Sequence, residues 1–308
     1  MLIGFLKVFP IIFLVLLGVF FKRTNYMKKN SIEDIKKLVL NVSLPCLLYT
    51  AFYRLEFSNK YLLIMLTIFI TCGFMLFMGT SIKKLFKIKS TYFSTLFVGF
   101  ETGMFGYSLF AVAYGVSNID KLAIIDLAQV IFVFFVIMPM YKNDSTEKSS
   151  ILNTLKNFIQ SPVIIAISLG ILTSIFGKRL VDSSKIYSSI FEIITFLSVL
   201  TVPLICIVIG YEMKLDMTKI KLPLITVSLR LLILIPLALI INRFIIGGLL
   251  DLPNIYKQAL FTMFILPPPF VLPIFIKEDG DDMQYVLNTI SLSMIFTIII
   301  FWILLVFM

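Results

Sequence analysis

Histidine is absent from the 308 residues, and cysteine occurs three times, at Cys46, Cys72 and Cys206, without paired spacing. The first absence excludes histidine-ligated zinc, Ser-His-Asp and Cys-His catalysis, and histidine proton relays. The second leaves neither a disulfide framework nor a thiolate metal site. No metal site, cofactor or enzymatic activity is expected. Charge is scarce as well: 14% of residues are Asp, Glu, Lys or Arg, against about 25% in an ordinary soluble chain. No glycine loop ending in Lys-Ser/Thr is present, so nothing supports direct ATP drive. A channel's filter loop or repeated polar rings are missing too.

Apolar residues are abundant instead. They make up 59% of the chain, 31 of them Phe, and the mean hydropathy is +1.03. One aqueous globule cannot hide that much apolar surface, so lipid must be the solvent for much of it. The net charge of +10 does not point to nucleic acid, because the cations fall in short clusters between apolar runs and not in a stripe with interleaved aromatics.

Ten runs approach the roughly 20 apolar residues that a helix needs to cross about 30 Å of hydrocarbon. They cover 2–21, 32–53, 61–82, 91–115, 121–141, 158–177, 186–212, 222–246, 255–276 and 284–307. The first contains Lys7, lacks a small-residue cleavage site and is followed by a basic loop, which reads as a retained span. Of the Lys and Arg residues, 17 fall on the side reached after span 1 and 9 on the other, with Arg230 inside a span. The richer side is therefore expected to be cytoplasmic and both termini outside. Richness in Lys, Ile, Phe and Asn, with short loops, points to a bacterial inner membrane. The longest polar loop, 142–157, divides a first block, 1–141, from a second, 158–308. Each holds five spans, and an odd number means that two blocks of one fold must insert in opposite directions.

The blocks share irregularities. Span 2 carries Asn41-x-x-x-Pro45 and span 7 carries Pro203, while span 4 has Gly99, Gly103 and Gly106 where span 9 has Pro267, Pro268 and Pro269. Glycine and proline interrupt the backbone ladder, and in hydrocarbon the freed groups must find protein, water or ligand. Matched interruptions in two halves point to a transporter's midplane site.

The basic loop after span 1, the Asn-x-x-Leu-Pro segment at Asn41 to Pro45, the Gly-rich span 4, Ser161-Pro162 with Gly170, Val202-Pro203 to Gly210 and the span 9 prolines occur in one order over nearly the whole chain. That order resembles the auxin efflux carrier family of membrane transport proteins and, more remotely, the bile acid/sodium symporters. The resemblance implies an all-α polytopic membrane protein. Its ten helices would form two inverted five-helix repeats, with broken helices 4 and 9 crossing at the centre. Spans 1, 2, 6 and 7 would form a scaffold and the others a moving part, carrying organic anions such as auxin or dicarboxylates. Where many members have Asn and Pro in span 4, this chain has Glu101 and Tyr107.

Ionisable residues at bilayer depth cost about 2.5–3.5 kcal/mol each on insertion scales, so each needs a reason. Glu101, beside Thr102 and Gly103 near the midplane, is the first candidate for a coupling or substrate role, because a carboxyl at that depth can take up and release a proton. It can equally hydrogen-bond a freed backbone group, or hold Na⁺. Asp126 and Gln129, one turn apart, can face the same cavity. Arg230 can neutralise Glu101, hold a substrate carboxylate or snorkel to the cytoplasmic interface. Asn41 can bond the carbonyl freed by Pro45.

The leading expectation is a secondary active transporter of a small organic anion, working by elevator-type alternating access coupled to H⁺ or Na⁺. The alternatives are a non-transporting sensor on the same fold and a carrier of non-anionic cargo. Expected partners are the small-molecule substrate and membrane lipid, and an apolar face on span 2 or 7 suits a homodimer.

Overall fold

The computed structural model describes residues 2–53, 58–137, 140, 159–177, 185–213, 216–270, 272–275 and 281–307. Arg54, the expected linker 142–157 and Glu278 to Gly280 of the acidic run lie outside them. The described residues form helices and no strands. Among them, five helices are long and apolar enough to cross a membrane: Lys29–Tyr53, Lys60–Leu85, Lys185–Glu212, Lys221–Leu249 and Asp281–Leu305, with Pro162–Phe176 a shorter apolar helix. The chain is an all-helical polytopic membrane protein.

Two compact units are assembled from discontinuous segments. The first comprises Met1–Ser58, Gly103–Ala123 and Ser150–Met213; the second comprises Asn59–Thr102, Ile124–Ser149 and Lys214–Met308. The segments of spans 1, 2, 6 and 7 fall in the first unit. So does the second part of span 4, which the resemblance would place with the moving part. The reason is local: helix α5 (Tyr107–Tyr114) packs on α1 (Leu2–Arg23) and α9 (Thr201–Glu212).

In the first unit α1 runs along α9 at a separation that only glycine allows. A Cβ on Gly18 would stand 2.1 Å from the Ile207 carbonyl oxygen, and one on Gly210 1.9 Å from that of Val15. Lipid tails remove any hydrophobic drive between helices, so close backbone packing must supply the association. At the end of this pair Lys22 Nζ donates to the Met213 carbonyl at 2.6 Å, and Lys36 pairs with Glu212 at 2.9 Å. Span 2 is α2 (Lys29–Leu38) continued by α3 (Leu44–Tyr53) through a π-turn, Val39–Ser43. Pro45 has no N–H to donate, and the ladder slips by one residue ahead of it. The Asn41 side chain is exposed and makes no hydrogen bond among the described residues, so the π-turn, not this amide, makes the local adjustment. Against α3 packs α7 (Pro162–Leu172). Span 7 is split at Leu200 between α8 (Lys185–Val199) and α9. Pro203 is the third residue of α9, where the missing donor costs nothing.

The second unit contains α4 (Lys60–Leu85), the body of α6 (Ile119–Phe132), α10 (Lys221–Ile241), α11 (Asn254–Ile265) and α12 (Asp281–Phe307). Its polarity is inverted relative to a soluble protein. Leu62, Leu66, Ile70 and Phe77 on α4 and Leu232 and Leu239 on α10 are exposed, whereas Asp126, Gln129, Arg230, Asn288 and Thr297 are buried. Apolar side chains facing hydrocarbon need no cover, and the interior is where polar groups find partners.

Gly210→Ala forces the α1–α9 pair apart and is expected to destabilise the protein by about 1–3 kcal/mol. Thermal unfolding in detergent reads this directly. Gly73→Ala, whose added Cβ meets only the Phe132 ring at 3.8 Å, leaves the midpoint unchanged.

Candidate functional site

Span 4 does not continue as one helix. A 3-10 turn at Thr95–Phe97 ends in extended backbone at Val98, and Gly99 follows with φ +74°. Only glycine takes that conformation without strain. Space gives a second reason, since a Cβ there would lie 2.7 Å from the Pro269 ring. Helical geometry resumes with a π-turn at Thr102–Gly106 and then α5. In span 9, α11 ends at Ile265, Leu266 is extended, and a buried non-helical stretch through Pro269 leads to a 3-10 turn at Leu272–Phe275. The run Pro267 to Pro269 has no N–H to offer a ladder, so the helix cannot cross it.

Within the second unit these two interruptions lie side by side. Glu101 N–H donates to the Pro267 carbonyl at 2.9 Å, and Phe270 N–H donates to Glu101 Oε2 at 2.6 Å. Gln129 serves both polar groups of Phe100: its Oε1 accepts from the amide at 3.2 Å, and its Nε2 donates to the carbonyl at 3.3 Å. The same Nε2 donates to Asp126 Oδ1 at 2.6 Å. Arg230 joins the two segments: Nη2 donates to the Gly99 carbonyl and Nη1 to the Leu266 carbonyl, both at 2.7 Å. Its guanidinium carbon lies 5.2 Å from the centroid of the Phe100 ring, within cation–π range. That ring in turn stacks on Phe264, with centroids 5.3 Å apart and planes 5° from parallel. The Thr297 hydroxyl of α12 reaches the Ile265 carbonyl. Backbone groups released by the interruptions are thus met by side chains and by other backbone groups.

The structure places each of these side chains. Arg230 does not snorkel: the residue is 2% exposed. It makes no ion pair among the described residues. Its Nε is buried without a hydrogen-bond partner among those residues. The Glu101 carboxylate accepts from the Phe270 amide within the interrupted segment. Asp126 is buried. Thr102 is buried with its hydroxyl unpartnered among the described residues.

The structure thus brings Glu101, Asp126, Gln129, Arg230 and the Pro267 carbonyl into one network, with Thr102, Pro268 and Pro269 adjoining it in the chain. Gly103 and Gly106, together with Asn41, Pro45 and Pro203, belong to the first unit. Sequence reasoning missed Thr297 and the ladder below it on α12, where Thr289 donates to the Tyr285 carbonyl and Ser293 to that of Thr289. A four-residue repeat of small hydroxyls, Thr289, Ser293 and Thr297, was its signal. No group of three or more Cys, Asp or Glu residues that could hold a metal occurs among the described residues. A cavity of about 600 Å³ in the second unit is lined by Lys83, Lys84, Lys87 and Thr91 among others. None of the network residues lines it.

Gln129→Leu leaves the Phe100 amide without its acceptor and weakens the satisfaction of its carbonyl. Stability is expected to fall by about 1–3 kcal/mol, read as a lower midpoint of thermal unfolding. No curated protein matches the chain. Residues 3–306 do match the membrane transport protein family. The match spans nearly the whole chain and names the same family as the order of its motifs, so the protein belongs to the membrane transport protein family, that of the auxin efflux carriers.

Proposed function

We propose that the protein is a secondary active transporter that moves a small organic anion across the bacterial inner membrane by elevator-type alternating access, coupled to protons or sodium. In this proposal ten spanning helices form two inverted five-helix repeats, 1–141 and 158–308, joined by a cytoplasmic linker at 142–157, with both termini outside. The family is one of transporters. The observation that carries the anionic cargo is Arg230, a buried guanidinium with no carboxylate partner among the described residues and an Nε–H free of protein acceptors there. A guanidinium stays protonated, and an uncompensated buried charge is costly, so an arriving carboxylate gains what the protein leaves unmet. Glu101 is the proposed coupling group, its carboxylate held by the Phe270 amide in the same interrupted region.

The direct test is flux of labelled carboxylates, namely acetate, benzoate, succinate and malate, into proteoliposomes under a pH gradient and separately under a sodium gradient. Accumulation that depends on a gradient supports the proposal; its absence for every carboxylate under both gradients overturns the anion assignment.

Glu101→Gln is a clean probe, because an amide oxygen can still accept from the Phe270 N–H but cannot titrate. Gradient-driven accumulation should vanish while the unfolding midpoint changes little. Pro268→Ala should cut the initial rate of flux at least tenfold with normal membrane insertion, measured by transport and by the amount of protein recovered from membranes.

A further inference from the structure

A helix interruption inside a membrane protein offers a cation what water would otherwise offer it, carbonyl oxygens released from the ladder. A small hard cation binds by collecting several such oxygens, with a carboxylate where one is near. Here those acceptors are already engaged. The Gly99 and Leu266 carbonyls, one from each interruption, both receive Arg230 at 2.7 Å. The Phe100 carbonyl receives Gln129 and the Thr102 amide, the Pro267 carbonyl receives the Glu101 amide, and Glu101 Oε2 receives the Phe270 amide. The face of Phe100 covers the guanidinium. A planar cation with two donors in a fixed fork spans two carbonyls as a metal ion would, but its side chain ties it to α10 and it cannot leave.

We infer that Arg230 is a built-in cation standing where a coupling sodium would bridge the two interruptions, so that the protein neither binds sodium there nor needs it for transport, which leaves the proton of the two coupling ions proposed above. The transport part of this inference rests on the transporter proposal above; the binding part does not. The role also explains why the residue is an arginine. Lysine would bring one ammonium to two carbonyls that lie on different segments, and a neutral side chain would leave one or both unmet.

The test begins with thermal unfolding of the purified full chain in detergent, with sodium chloride exchanged for choline chloride at constant ionic strength. The wild-type midpoint should be the same in both salts. Arg230→Gln should lower the midpoint in choline, and sodium should restore part of it in a saturable way, because the variant exposes the carbonyls. Arg230→Lys should fold with a lower midpoint and still ignore sodium. A saturable rise of the wild-type midpoint with sodium overturns the inference even if Arg230→Gln does not fold. Equal midpoints for a folded Arg230→Gln in the two salts also overturn it, since the vacated position would then have no affinity for the ion. In proteoliposomes, wild-type flux should agree within twofold with and without sodium, and a tenfold dependence on sodium would contradict the inference. If no carboxylate is moved while the unfolding results hold, the transporter proposal fails and the built-in cation stands.

Discussion

The second unit depends on one contact: the Arg230 guanidinium donating to the Gly99 and Leu266 carbonyls, one on each interrupted segment. In water, two broken helices would leave their carbonyls to solvent at little cost. In a membrane interior an unmet carbonyl costs several kcal/mol, so a break needs a partner built into the protein. A single cation meeting both segments does more than two neutral donors would, since charge-assisted bonds are roughly twice as strong. It also fixes the two segments to each other. The remaining contacts extend this arrangement: Gln129 on Phe100, Glu101 on Phe270, the stacked rings of Phe100 and Phe264, and Thr297 on Ile265.

The first unit meets the same solvent differently. It is held where α1 and α9 approach to glycine contact at Gly18 and Gly210, and where α3 meets α7 at Gly170, whose added Cβ would stand 2.9 Å from the Tyr49 carbonyl. Its irregular positions, the π-turn before Pro45 and the split before Pro203, are absorbed within the spans. Buried charge is concentrated in the second unit and close glycine packing is prominent in the first.

The helical class, the membrane and both interruptions were legible in the sequence, because each follows from a local property. Apolar length marks a span, and three successive prolines or a glycine cluster mark where a ladder fails. Neither the fate of Arg230 nor the exposure of Asn41 was legible. A residue some nine positions into a span can turn inward or run out to the interface, and hydropathy is the same in both cases. Two segments far apart in the chain supply the carbonyls that draw Arg230 inward, and no local pattern pairs Gly99 with Leu266. The division of span 4 between the units was hidden for the same reason, since α5 joins α1 and α9 through packing alone. The hydroxyl ladder of α12 had a visible period of four but no sign of its target.

One side chain, Arg230, bonds to both interruptions. Hydrogen–deuterium exchange reports on it without any substrate, because the Glu101 and Phe270 amides are both bonded within this network. In the wild type, peptides containing these two amides should exchange slowly. In Arg230→Gln both should speed up together, by tenfold or more, while peptides from α1 and α9 keep their wild-type rates. If only one segment loosens, or neither does, the two interruptions are held independently and Arg230 is not their common anchor.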